Sequence, residues 1–155
     1  MSSNSNKVDW SFYEKNGFTP FVNVSGTMTG LGASIMVDDA QSAMREISPY
    51  FIKIHELQSS AGKIISELTG AESGFITASS SAGITLSIAA LMTGKNPGLI
   101  EKLPNTEGLK TEVVVQSGHL CNYGAAIDQA IRLSGATTVS FGQSTQVQDH
   151  QLYNA

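Results

Sequence analysis

The sequence has little of what marks several large classes of protein. Its single cysteine, Cys121, excludes an internal disulfide framework and fits a reducing compartment. No apolar run approaches the roughly 18 residues that suggest a membrane-spanning helix, and the polar first residues lack the apolar stretch of a secretory signal. Charged residues are only 14% of the chain, the net charge is −4, and the lysines and arginines are scattered. We therefore expect a cytoplasmic protein with no membrane or nucleic-acid partner.

Common catalytic signatures are missing as well. Gly94-Lys95 lacks the upstream glycine of a nucleotide-binding P-loop, and no glycine-rich dinucleotide fingerprint follows a predicted strand. The nucleophile-elbow pattern of serine hydrolases is absent. His55 has no second histidine four residues later, so the helical zinc motif of metalloproteases is absent and no metal site is predicted.

The first half of the chain reads as short helices separated by a long uncharged loop. Helices are predicted from Asp9 to Lys15, from Asp38 or Asp39 (the expected cap) to Ile47, and from His55 to Thr69. The last of these carries an apolar stripe and is followed by Gly70, a typical helix-terminating residue. A short β-prone run at residues 21–24 leads into a Gly-, Ser- and Thr-rich loop at residues 25–34.

The second half alternates strands with helices. Strands are predicted at residues 75–78, 112–116 and 137–141, and helices at residues 82–92 and from Asn122, as cap, to Gly135. The first of these helices is apolar on most faces and should be buried, and residues 96–110 should form a polar loop. Strands joined by helical crossovers indicate an α/β fold with a parallel sheet.

Three segments are predicted from these patterns. Residues 1–20 form a polar segment, frayed over residues 1–9, with a short helix; residues 21–141 form the α/β domain. Residues 142–155 lack periodicity and form a polar tail or the start of a further segment. A sheet interrupted after its third strand has an open edge, which further protein must cover.

Hydroxyl groups cluster where the first predicted strand passes into its helix. Ser79, Ser80, Ser81 and Ala82 combine free backbone N–H groups, hydroxyl donors and the positive end of a helix dipole, which suits a phosphate group. Ligands of open parallel sheets bind at the carboxyl ends of strands, where this turn is predicted to lie. A plain serine cap with additional turn residues is the alternative.

A histidine follows the second predicted strand at the same predicted edge of the sheet. His119 could stack on an aromatic cofactor or transfer protons there, or simply form a hydrogen bond at a strand end. Cys121 lies near it in the sequence without any visible activating group.

Several motifs in order resemble one known family, and they extend from about Phe21 to Phe141. They are Val22 to Thr29 with Leu31-Gly32, His55 to Gln58 with Ala61-Gly62, Glu67 to Glu72, Ser81 to Ile84, and Glu112 to Val115 with Gly118-His119. Together they resemble the selenocysteine-synthase-like family of pyridoxal-phosphate (PLP) enzymes, which spans ammonia lyases and selenium transferases.

The resemblance implies the N-terminal part of an aminotransferase-like (fold type I) large domain, with a parallel-rich sheet and flanking helices. The turn at Ser79, Ser80, Ser81 and Ala82 would then hold the PLP phosphate, and His119 would stack on the pyridine ring. Ser25, Gly26 and Thr27 would lie near the substrate, a small amino compound. Active sites of this family lie at subunit interfaces, so the resemblance also implies an oligomer.

Two departures from the family pattern bear on function. Gly30 stands where many relatives carry a larger, often basic residue. No lysine follows the predicted strand that precedes His119, whereas the family requires a Schiff-base lysine and an aspartate from later strands. The chain is therefore predicted to contribute no catalytic residue itself, and to need a complementary C-terminal polypeptide or further segment.

Three functions remain open from the sequence. The chain could be one portion of a PLP-dependent lyase or transferase acting on an amino acid or amino-sugar acid. It could instead be a truncated, non-catalytic paralogue that serves as an interaction or regulatory subunit, or a simple phosphate-binding module. Selenium transfer to tRNA is disfavoured because the chain shows no basic surface.

Overall fold

The computed structural model describes residues 9–155, and the predicted fraying of residues 1–9 falls almost wholly outside that range. The chain divides into two compact units, Met1–Gln41 and Ser42–Ala155. The helices are α1 (Trp10–Lys15), α2 (Asp38–Ile47), α3 (Ile54–Thr69), α4 (Ser80–Thr93), α5 (Pro97–Lys102), α6 (Ile127–Arg132) and α7 (Asp149–Tyr153). The strands are β1 (Glu112–Gln116) and β2 (Thr137–Phe141). The predicted segment boundaries at residues 20 and 141 stay predictions.

The first helix of the described residues is the predicted α1. The Asp9 carboxylate caps it by accepting a hydrogen bond from the Ser11 backbone N–H at 3.1 Å. The β-prone run at residues 21–24 forms no strand, and the side chain of Val24 is 90% exposed. Asp38 and Asp39 lie in the first turn of α2 and do not cap it. Their negative charges instead stabilise the helix by interacting with the positive end of its dipole.

The sheet of the C-terminal unit has two parallel strands, β1 and β2, in register from Glu112 opposite Thr137 to Gln116 opposite Phe141. Both strands lie where the sequence predicts them. Their carboxyl ends meet at one edge of the sheet. That edge therefore brings the segments after Gln116 and Phe141 together.

The prediction of a strand at residues 75–78 is wrong. Instead of pairing with another strand, Ile76 is held by the side-chain amide of Gln58 in α3. The Gln58 amide donates to the Ile76 carbonyl at 2.7 Å and accepts from the Ile76 N–H at 3.1 Å. One side chain thus satisfies both backbone groups that a neighbouring strand would otherwise satisfy.

Close backbone approach explains a buried glycine in α3. Gly62 is buried, and a Cβ atom built there would lie 2.6 Å from the Gly74 carbonyl oxygen. Only glycine allows the segment before Ile76 to approach α3 this closely. Gly70 ends α3 in the left-handed conformation, φ 74°, as predicted.

Three further predictions of local structure need correction. The expected loop at residues 96–110 contains α5, because Asn96 caps it and Pro97 occupies its first position. Asn122 does not cap α6, which begins at Ile127; its side chain instead accepts from the Gly124 N–H at 3.0 Å. The polar stretch after residue 141 contains α7, which a capping box at Gln148 begins.

The apolar core of the described residues is small and lies around α6 and β2. Its buried apolar members are Ala130, Ile131, Ala136 and Phe141. Helix α4 packs on α6 through the Thr85 hydroxyl, which donates to the Ala130 carbonyl at 2.7 Å. The expectation that α4 is buried on most faces is wrong for this chain, because Leu86 and Leu91 are 50% and 86% exposed.

Two oppositely charged side chains, one helical turn apart, form an ion pair on α6. Arg132 Nε donates to Asp128 Oδ2 at 2.7 Å. The Thr138 hydroxyl and, after it, this guanidinium hold the pKa of Asp128 below its ordinary value. The Thr138 hydroxyl is buried and makes no hydrogen bond of ordinary geometry with the described residues.

Candidate functional site

The hydroxyl-rich turn lies at the N-terminus of α4, as predicted, although the helix begins at Ser80 rather than at Ala82. Ser79 caps it with extended backbone, and its hydroxyl accepts from the Ala82 N–H at 3.1 Å. The Ser79 carbonyl accepts two hydrogen bonds, from the Thr77 hydroxyl at 2.9 Å and from the Gly83 N–H at 2.9 Å. The bends before and after the cap are thereby fixed.

The donors of Ser80 and Ser81 are left unused by this network. In the described part of the chain, neither their backbone N–H groups nor their hydroxyls donate a hydrogen bond. The first turn of this 14-residue helix contains no acidic residue. Free N–H groups, hydroxyls and the positive helix end form a donor set for a phosphate.

His119 lies just beyond β1, at the end of a short 3-10 turn (Ser117–His119), and is exposed. The turn is tied to the neighbouring strand by the Ser117 hydroxyl, which donates to the carbonyls of Phe141 and Gly142 at 3.0 and 3.1 Å. His119 therefore stands at the carboxyl edge of the sheet, where the sequence predicts it.

A cleft of about 160 Å³ opens beside His119 at this edge. Its lining comes from the ends of both strands: Gln116, Gly118, His119, Gln143, Ser144, Thr145, Gln146 and Val147. Sequence reasoning missed the loop at residues 143–147. Its amide and hydroxyl side chains directly after a strand are the signal that could have revealed it.

The predicted site residues lie in three separate segments of the chain. No hydrogen bond among residues 9–155 links His119 to the turn at residues 79–82. Ser25, Gly26 and Thr27 are exposed in the N-terminal unit, in a turn where the Asn23 side chain donates to the Gly26 carbonyl at 2.7 Å.

Three further observations complete the description, one near His119 and two that apply to all described residues. The Cys121 side chain, first as a hydrogen-bonding group and then through the negative charge of its thiolate form, raises the pKa of the Tyr123 phenol. Among the described residues, no group of three or more His, Cys, Asp or Glu side chains is placed to hold a metal ion. Within the same residues, no helix has the length and apolar content needed to cross a membrane.

Comparison with known proteins establishes what the chain is related to. Over 145 residues, 94% of this chain, the sequence is 34% identical to D-glucosaminate-6-phosphate ammonia lyase of Salmonella typhimurium (strain 14028s / SGSC 2262). The chain is a homologue of this ammonia lyase. The resemblance predicted from the sequence is confirmed, and the match is to an N-terminal portion of the lyase.

Other comparisons agree with this relationship. The solved structure of D-glucosaminate-6-phosphate ammonia-lyase superposes with a TM-score of 0.86 at 34% identity, covering 93% of this chain. A 5'-C-glycyluridine monooxygenase-decarboxylase of Streptomyces sp is 29% identical over 84% of the chain. No protein-family model matches. The chain spans only 39% of the length of the lyase and 33% of the length of the monooxygenase-decarboxylase.

Proposed function

We propose that this chain provides the phosphate grip and the ring contact for PLP in a lyase or transferase that acts on an amino acid or amino-sugar acid. The observation that carries the proposal is the unused donor set of Ser80 and Ser81, in a homologue of an enzyme named for an amino-sugar acid substrate. An aminotransferase-like fold of type I is part of the same proposal.

The residues of the turn fit a phosphate. Ser80 and Ser81 would donate their N–H groups and hydroxyls to it, while Ser79 keeps the helix start in place and Ala82 contributes a side chain too small to obstruct the anion. When bound, PLP withdraws electrons from the substrate carbon that carries the amino group. His119 would pack on the ring, and Ser25, Gly26 and Thr27 would contact the amino substrate.

We further propose that other protein covers this chain in the active assembly, as a further segment or as a subunit of a homo- or hetero-oligomer. The support is the exposure of apolar side chains on α3 and α4. Leu68 and Leu91 are 81% and 86% exposed, while the buried apolar residues of the described chain are few. That additional protein would supply the lysine and aspartate that PLP chemistry needs. A cytoplasmic location remains part of the proposal.

The phosphate assignment is tested by PLP binding to the Ser80→Ala/Ser81→Ala variant. Each lost hydroxyl removes a hydrogen bond to a charged group, worth about 1.5–3 kcal/mol. We expect at least tenfold weaker binding, followed by the ³¹P resonance of PLP or by its absorbance. Ser87→Ala, in the same helix beyond the turn, is the matched control and should bind as the unchanged chain does.

The alternative, a non-catalytic interaction subunit, gives a different result. In that case, an assembly of this chain with its partner would bind PLP equally well with and without the two serine hydroxyls. Equal PLP affinity of the double variant and the Ser87→Ala control would therefore contradict the proposed function. Circular dichroism checks that each variant keeps its helices.

A further inference from the structure

We propose that the cleft at the carboxyl ends of β1 and β2 is a subsite for a neutral, hydroxylated carbon chain. It is lined by His119 and by the loop at residues 143–147. In the assembled enzyme it would hold the polyol portion of an amino-sugar acid. That last identification rests on the proposed function, whereas the ligand class follows from the cleft itself.

Hydrogen bonds and close packing hold the backbone around the cleft in place. The Ser117 hydroxyl bonds the carbonyls of Phe141 and Gly142, which ties the end of β1 to the start of the loop. Gly118 lies directly against the Ser144 carbonyl, where a Cβ atom would collide with it. Within the loop, the Gln143 N–H donates to the Gln146 carbonyl at 2.9 Å. The lining is therefore held before any ligand arrives.

The chemistry of the lining selects hydroxyl groups. Carboxamides at Gln143 and Gln146 and hydroxyls at Ser144 and Thr145 offer donors and acceptors side by side, as vicinal hydroxyls require. No hydrogen bond within the described chain engages these four side chains. No lysine, arginine or carboxylate lines the cleft, so it has no permanently charged group to pair with a phosphate or ammonium group.

The size of the cleft indicates a subsite rather than a complete pocket. Its 160 Å³ is about half of the roughly 300 Å³ at which complete ligand pockets begin. A segment of a few hydroxylated carbons fits such a volume, while the rest of the substrate lies outside. His119 is shared between this cleft and the proposed ring contact. One end of the polyol would therefore lie next to the proposed ring contact.

The test is a titration of the full chain with D-sorbitol, followed by ¹H–¹⁵N NMR. We expect saturable shifts at Gly118, at His119 and in the loop, and about fivefold weaker binding in Thr145→Val, the effect of one neutral hydrogen bond. Thr137→Val, the same isosteric change at the opposite end of β2, is the control. Gln146→Met provides a second variant should Thr145→Val lose its native spectrum.

The outcomes separate this subsite from the proposed function. No saturable shift in the loop, or equal sorbitol affinity in Thr145→Val and Thr137→Val, overturns the subsite. A parallel titration with inorganic phosphate reports on the Ser80 and Ser81 amides alone. Sorbitol binding in the loop without a phosphate response at Ser80 and Ser81 would support the subsite and contradict the phosphate assignment. A phosphate response at Ser80 and Ser81 without sorbitol binding would support the phosphate assignment and contradict the subsite.

Discussion

The Gln58 side chain forms the two hydrogen bonds to Ile76 that a neighbouring strand would otherwise form. Its carboxamide occupies both the N–H and the carbonyl of Ile76, 18 positions away in the sequence. The segment that it holds leads directly to Ser79 and the start of α4. The position of the proposed phosphate turn relative to α3 therefore depends on this pair of hydrogen bonds.

Replacing Gln58 by methionine keeps the volume and removes both hydrogen bonds. We expect a loss of about 1 kcal/mol in the free energy of unfolding, because Gln58 is only part-buried and water can partly replace it. Urea unfolding measures the loss, and amide exchange at Ile76 should become faster. Gln129→Met, on an exposed helical position, is the control. Unfolding at the same urea concentration in both variants would contradict the role assigned to Gln58.

Sequence patterns predict single residues well where the interaction is local. The sequence predicts a serine cap within residues 79–81 and Gly70 as the end of α3, because each acts on neighbours within one helical turn. The role of Gln58 could not be read in the same way. A side chain that bonds a distant backbone leaves no periodic trace, and nothing in the composition near residue 58 indicates it.

Among the helices and strands, the sequence predicts an element less reliably when its backbone bonds depend on a distant partner. The β-branched runs predict β1 and β2 correctly, and the two strands pair with each other in the sheet. The apolar run at residues 75–78 looks equally strand-like, yet its backbone bonds the Gln58 side chain instead. Asn96 and Pro97 are a typical start of a helix, and they begin α5. The polar composition around them favours a loop, which is why the sequence prediction misses this helix.

The packing of the strand ends is tested by Gly118→Ala. A Cβ atom at Gly118 would meet the Ser144 carbonyl, so the loop at residues 143–147 must move. Overpacking of this kind costs about 1–3 kcal/mol, and we expect that loss in thermal or urea unfolding. Amide shifts should concentrate in the loop. Gly30→Ala, with open space around the added methyl group, is the control. A Gly118→Ala chain as stable as this control would show that the loop is not packed there.

For the molecule as a whole, the distribution of apolar surface matters more than any single site. The C-terminal unit has its buried apolar residues around α6 and β2, while α3 and α4 expose theirs. Apolar positions at helical spacing in α3 predict a buried face, and in the described chain that face is largely uncovered. In the proposed assembly, the additional protein would cover this face.

The last prediction compares two exposed leucines with a core isoleucine. Leu68→Gln and Leu91→Gln change side chains that are 81% and 86% exposed, and glutamine has a similar helix propensity to leucine. We expect little change in the free energy of unfolding but weaker fluorescence of an apolar-surface dye. Ile131→Val, in the core, should cost about 0.5–1.5 kcal/mol and leave dye binding unchanged. Destabilisation by Leu68→Gln as large as that by Ile131→Val would mean that the chain itself buries α3, which would remove the case for a covering partner.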